Sequence, residues 1–138
     1  MAFLGSTAYC SAKFAVVGLS EALNSELEPF GIQVAAVLPG AFRTAFRDAS
    51  SMKQPKALMP EYDGTPVRAA RLSLADNNYK QEGNPEKAAA FLRCIILKGK
   101  LPKRILIGRN CCNGVKIYLQ ERIEEIDSYI EESSQTDF

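Results

Sequence analysis

Tyr9 and Lys13 are the two residues of this chain whose types and spacing can do chemistry together. On a helix, side chains four residues apart share one face and can meet one ligand. An ammonium beside a phenol favours the phenolate and draws its pKa down from about 10 toward neutral pH, where the oxygen can take or give a proton. Taken alone the spacing also suits a solvated helix face, which is the commoner origin of such a pair. The 138 residues include no histidine, so the usual general base and the usual metal ligand are absent, which argues against triad hydrolases and most zinc enzymes. The cysteines are Cys10, Cys94, Cys111 and Cys112. The adjacent pair fits neither a common zinc spacing nor a Cys-x-x-Cys redox motif, so all are read as ordinary thiols and no metal site is expected.

The elements that must position the pair follow from periodicity and punctuation. Phe14, Val17, Leu19, Leu23 and Leu27 recur at mostly three- and four-residue steps. They predict a long helix over Thr7–Leu27, with Ser6 as N-cap and Pro29-Phe30-Gly31 as the stop. Ile32 to Leu38 is a nearly continuous apolar run closed by Pro39-Gly40, the pattern of a buried parallel strand. A helix feeding a parallel strand belongs to the α/β class.

Ala41 to Gly83 reads as irregular, punctuated by Pro55, Pro60 and Pro66, with a short helix over Arg68–Leu74. An excursion of that length inside a compact domain is usually functional. Asn84-Pro85-Glu86 supplies an N-cap, a proline at the first helical position and an acid in the first turn, opening a helix to about Lys98. A second strand is predicted over Arg104–Gly108, a final helix over Val115–Ile130, and a frayed tail from Ser133 to Phe138.

Composition bounds the partners. Apolar residues make up 46% of the chain and charged residues 24%, as in ordinary soluble domains. Lysine plus arginine (17) exceeds aspartate plus glutamate (16) by one, so there is no broad basic surface for nucleic acid or anionic lipid. The longest apolar stretches, Phe14–Leu19 and Val34–Leu38, fall far short of the roughly 20 residues that span a bilayer. Met1 to Gly5 lack the features of a secretory signal, so a cytoplasmic location is expected.

The stretch Tyr9-Cys10-Ser11-Ala12-Lys13-Phe14-Ala15-Val16-Val17-Gly18-Leu19-Ser20-Glu21-Ala22-Leu23 resembles the active-site helix of the short-chain dehydrogenases/reductases. The likeness continues through Glu26-Leu27, Gly31-Ile32-Gln33-Val34 and Pro39-Gly40-Ala41-Phe42-Arg43-Thr44, similar to that family's Pro-Gly-x-x-x-Thr turn. The resemblance implies the C-terminal portion of a Rossmann-like, doubly wound parallel sheet, here about two strands and three to five helices in one partial domain spanning residues 1–138. Within it, 1–44 would carry the active-site helix, strand and turn, 45–83 a substrate lid, 84–132 the closing helix, strand and helix, and 133–138 a tail. It further implies alcohol–carbonyl interconversion by hydride transfer with NADP or NAD, NADP being slightly favoured. By resemblance, Tyr9 is the general acid/base, and Lys13 tunes it and binds the nicotinamide ribose. Pro39, Gly40, Phe42 and Thr44 support the cofactor. Phe46, Leu58, Met59 and Tyr62 would line an apolar lid pocket for a lipophilic alcohol or ketone, and copies of the chain would associate through the active-site helix.

Two parts of the family pattern have no counterpart here. The catalytic serine lies farther before the tyrosine than the eight residues that precede Tyr9, and Ser6 and Thr7 suit helix capping instead. The glycine-rich pyrophosphate turn after a first strand is also missing, and Gly5 and Gly108 do not compose one. A truncated chain whose Met1 is internal to a longer protein is therefore expected, with the apolar faces of Val34–Leu38 and Ile105–Ile107 poorly covered. The second reading is a non-catalytic remnant or interaction module that does not bind cofactor.

Overall fold

The computed structural model describes residues 1–48, 50–53 and 57–137. Pro55 of the expected lid and Phe138 of the expected tail lie outside the described residues. The fold is α/β. Helix α1 (Thr7–Leu27) leads through a short 3-10 turn (Glu28–Phe30) to strand β1 (Ala36–Pro39). After the excursion come α2 (Pro66–Asp76), α3 (Pro85–Leu97), strand β2 (Arg104–Ile107), α4 (Arg109–Asp127) and the short α5 (Ile130–Ser134). The strands pair in parallel with Ala36 opposite Arg104 and Pro39 opposite Ile107.

Local chemistry explains most boundaries. Helix α1 takes the predicted limits, but Ser6 makes no side-chain cap hydrogen bond. Its backbone carbonyl accepts from the Cys10 amide at 2.8 Å instead. Strand β1 starts four residues later than the apolar run, because the Val34 amide donates to the Asn24 side chain on α1 at 3.2 Å and leaves the ladder. At α3 the expected cap forms, the Asn84 side chain accepting from the Lys87 amide at 3.0 Å. The short helix of the excursion is longer than predicted and opens at Pro66, with the Thr65 hydroxyl oxygen accepting from the Arg68 amide.

The last helix departs most from its prediction. It begins at Arg109, directly after β2, because Gly108 takes φ +99° and turns the chain from strand to helix in one residue. It ends at Asp127, where Ser128 Oγ donates to the Glu125 carbonyl at 2.7 Å and Tyr129 leaves helical geometry. Part of the expected frayed tail, up to Ser134, belongs to α5.

Side-chain contacts fix α1 and α4 to the strands and order the approach to β2. Glu21 pairs with the Arg104 guanidinium at the start of β2. The Gln33 side chain accepts from the Leu101 amide and donates to the Gly99 carbonyl, each at 2.7 Å. The Cys111 thiol donates to the Leu38 carbonyl at 3.2 Å, tying α4 to β1.

The core is small. Cys10, Ala36, Ile105 and Ile107 are the buried apolar residues among those described. The two isoleucines are thus better covered than expected, while Val37 is 46% exposed, in keeping with the expectation for its strand. The accessible surface is 10,887 Å², against about 7,100 Å² for a self-contained monomer of 15.2 kDa. Large side chains such as Phe30 and Leu97 stand out from the surface, and β1 has no strand on its outer edge among the described residues.

Candidate active site

The geometry begins on α1. Tyr9 and Lys13 lie one turn apart, with Lys13 Nζ 5.5 Å from the centroid of the Tyr9 ring. Both side chains are exposed, so the phenol is accessible from solvent with an ammonium beside it. The Tyr9 ring is also 6.1 Å from the ring of Phe46 and tilted 58° to it. Phe46 sits in a 3-10 turn (Ala45–Arg47) capped by Thr44, whose hydroxyl oxygen accepts from the Phe46 amide. That cap aims Phe46 back toward α1.

The Pro-Gly turn is fixed from the opposite side. The Gly40 amide donates to the Ile107 carbonyl at 2.9 Å, extending the β1–β2 ladder past Pro39. Phe42 then forms a parallel bridge with Gly83. The Gly83 amide donates to Ala41 at 3.1 Å, and the Arg43 amide donates to Gly83 at 3.0 Å. Only glycine fits at 83, since a Cβ there would lie 2.6 Å from both the Ala41 oxygen and Phe42 Cδ1. The Arg43 guanidinium also donates to the Gln81 carbonyl, so the segment just before α3 is held against the turn at two levels.

These contacts bound a cavity of about 500 Å³. Pro39, Gly40, Phe42 and Thr44, the four supporting residues picked out from the sequence, all line it. The α3 residues Ala88 and Leu92 form part of the opposite wall. Tyr9 and Lys13 do not line it, and Phe46 joins the two parts by facing the cavity and the Tyr9 ring. A neighbouring cavity of about 340 Å³ shares Gly40 and Phe42 and is bordered by Lys87 and Arg109.

The structure does not assemble the expected apolar lid pocket. Of Phe46, Leu58, Met59 and Tyr62, only Phe46 lines either cavity, and the other three are exposed. The reason is local: Arg68 pairs with Asp63 at 2.8 Å and donates to the Met59 carbonyl, folding residues 57–68 on themselves rather than onto the sheet. Arg47 and Gln81, passed over in the sequence, also line the larger cavity. No periodicity marks Gln81, because it reaches the cavity only through the pairing of Gly83 with Phe42.

The lid segment carries a further cluster. Asp48 accepts from Asn78 Nδ2 at 2.8 Å and from the Tyr79 hydroxyl at 2.7 Å. Those two bonds, the one from Asn78 foremost, hold the Asp48 carboxyl below its usual range. Tyr79 itself sits at φ +57°, in the left-handed region that costs a non-glycine residue energy. Elsewhere, burial pushes the Cys111 thiol up, helped by the neighbouring Cys112. Among the described residues, no group of three or more cysteine or acidic side chains could hold a metal ion, and no helix is long and apolar enough to cross a membrane.

The chain is similar to known proteins. The short chain dehydrogenase family profile matches residues 1–55. A 3-ketodihydrosphingosine reductase of Bacteroides thetaiotaomicron is 32% identical over 100 residues, covering 72% of this chain and 36% of its own length. Oxidoreductase BOA17 of Botryotinia fuckeliana is 36% identical over 104 residues, covering 75% of this chain and 37% of its own. The crystal structure of a short-chain dehydrogenase from Streptomyces avermitilis superposes with a TM-score of 0.78 at 32% identity, covering all of this chain and 49% of that one. The chain therefore spans a little over a third of these two curated relatives and about half of the solved structure. On the motif of α1, the Pro-Gly turn and the shared fold, the chain belongs to the short-chain dehydrogenase family.

Proposed function

We propose that this chain carries the proton-transfer part and the nicotinamide side of an NAD(P)-dependent oxidoreductase that interconverts an alcohol and a carbonyl. The observation that carries the reading is the Tyr9/Lys13 pair set beside a cavity walled by the Pro-Gly turn, with Phe46 joining the two. In the proposed reaction Tyr9 Oη gives its proton to the carbonyl oxygen during reduction and takes it back during oxidation. Lys13 supplies positive charge beside the phenol and a donor toward the nicotinamide ribose. The bound cofactor supplies or accepts the hydride.

The residues present fit the nicotinamide end of that cofactor. The cavity is apolar at Val37, Phe42 and Leu92 and is also lined by Gln81, a buried residue whose side-chain Oε1 has no hydrogen-bond partner among the described residues. Pro39, Gly40, Phe42 and Thr44 would support the ring. NADP is the first choice over NAD. A lipophilic alcohol or ketone is the proposed substrate class, supported by Phe46 on the cavity wall and by a relative named for 3-ketodihydrosphingosine. A cytoplasmic location belongs to the same reading. So does association of copies through α1, which exposes Phe14, Val16 and Leu19.

The test is to titrate the purified 138-residue chain with NADPH and then NADH, following nicotinamide fluorescence and thermal unfolding together. Ligand at about 100 times its Kd stabilises a folded protein by roughly 2.7 kcal/mol, so binding must raise Tm as well as change fluorescence. Tyr9→Phe should leave that binding in place and remove turnover, because a phenyl ring has no proton to give. No saturable signal with either nucleotide would count for the non-catalytic remnant.

A further inference from the structure

The larger cavity is walled mostly by apolar side chains, Phe42, Phe46, Leu92 and Ile107 among them, and among the described residues Arg47 is the one charged residue that lines it. Arg47 is half-buried and closes the 3-10 turn that carries Phe46. An arginine so placed lays its stem along apolar surface and keeps its guanidinium, charged at any ordinary pH, where water still reaches it. No carboxylate among the described residues pairs with it. The adjacent acid, Asp48, is already engaged, accepting from Asn78 Nδ2 and from the Tyr79 hydroxyl. Of the other arginines near this segment, Arg43 is held by the Gln81 carbonyl and Arg68 by Asp63. Among the described residues, the cavity thus offers an apolar wall and one uncommitted cation.

From this geometry we propose that Arg47 is a specificity-determining residue, holding the carboxylate of an apolar alcohol or ketone whose chain lies in the cavity against Phe46. A single guanidinium, with no second cation lining the cavity among the described residues, suits a monoanion rather than a phosphate, which carries close to two charges at neutral pH. Phe46 links the site to the proton donor: it lines the cavity, and its ring stands 6.1 Å from that of Tyr9. A chain running from Arg47 past Phe46 therefore brings its oxygenated carbon toward Tyr9. As a substrate site this rests on the proposed oxidoreductase reading and narrows its substrate class; as a binding site it stands on the cavity alone.

The test is isothermal titration calorimetry of the full chain at neutral pH with decanoate, decanol and decylamine, which share one apolar tail, each kept below the concentration at which it forms micelles. A hydrogen bond to a charged group adds about tenfold or more to affinity. Decanoate should therefore bind about tenfold or more tightly than decanol, and decylamine more weakly than decanol. Arg47→Gln should erase the preference for decanoate, whereas Arg93→Gln, on α3 and outside the cavity lining, should keep it. Because the wild-type comparison changes only the head group, it stands even where an Arg47→Gln protein fails to fold. Equal binding of decanoate and decanol, or a preference that survives in folded Arg47→Gln, overturns the role of Arg47. Failure of the wild-type chain to bind any of the three overturns the site. The titration uses no nucleotide, so each of these failures is distinct from a failure to bind NADPH and NADH, which bears on the oxidoreductase reading.

Discussion

Replacing Gly83 with alanine should open the Pro-Gly turn, and the structure sets the size of the effect. The added Cβ would stand 2.6 Å from the Ala41 oxygen and from Phe42 Cδ1, and 2.7 Å from Phe42 Cγ. Heavy atoms in good contact stay about 3.5 Å apart, so the two segments must separate by close to an ångström. One obstacle is backbone and the other is a ring wedged near Gly108, so neither yields cheaply. That separation stretches the Gly83 to Ala41 and Arg43 to Gly83 hydrogen bonds, now 3.1 and 3.0 Å. Losing two such bonds costs about 2 kcal/mol, overpacking adds about 1–3 kcal/mol, and the stiffer unfolded chain returns up to about 1 kcal/mol. The net is a destabilisation of roughly 3 kcal/mol, or a fall in Tm of about 10 °C in a chain of this length. Gly18→Ala is the internal control: it lies within α1, where an added methyl would meet nothing within 4 Å, and should stabilise by up to about 1 kcal/mol. Thermal unfolding by circular dichroism reads both, and amide exchange at Arg43 and Gly83 should accelerate in Gly83→Ala alone. A Gly83→Ala protein melting within 2 °C (roughly half a kcal/mol) of wild type would refute the tight bridge.

Two further expectations concern groups outside the proposed chemistry. Asp48 has a depressed folded-state pKa, so its bonds to Asn78 and Tyr79 contribute stability above its ordinary pKa that is lost as pH falls through the folded value. Asp48→Asn should therefore flatten the acid limb of Tm against pH below about pH 4, and should lower the titration of Tyr79, now held up chiefly by its bond to Asp48. An unchanged acid limb would dissociate the cluster from stability. Alkylation with iodoacetamide near neutral pH should label exposed Cys94 first, ahead of buried Cys10 and of Cys111, whose thiol burial pushes up. Peptide mapping that found Cys111 modified first would contradict its packing against Leu38.

What the sequence by itself determined is local in the chain. The limits of α1, the Asn84-Pro85 start of α3 and the position of β2 followed from caps, prolines and apolar periods, all of which act within a turn or two. The Tyr9/Lys13 proximity was legible for the same reason, since a helix places residues four apart on one face. The Pro-Gly turn was legible as a motif, and its residues do share a cavity. Tertiary structure alone decided the rest. Asn24 withdraws Val34 from the strand, Glu21 on α1 meets Arg104 at the start of β2, and Cys111 on α4 meets the Leu38 carbonyl of β1. Gln81 reaches the turn across the sequence from Phe42 because Gly83, lacking a side chain, lets two backbones approach. Contacts of that kind depend on which surfaces meet after the helices and strands have formed, and no spacing along the chain encodes where two distant backbones touch.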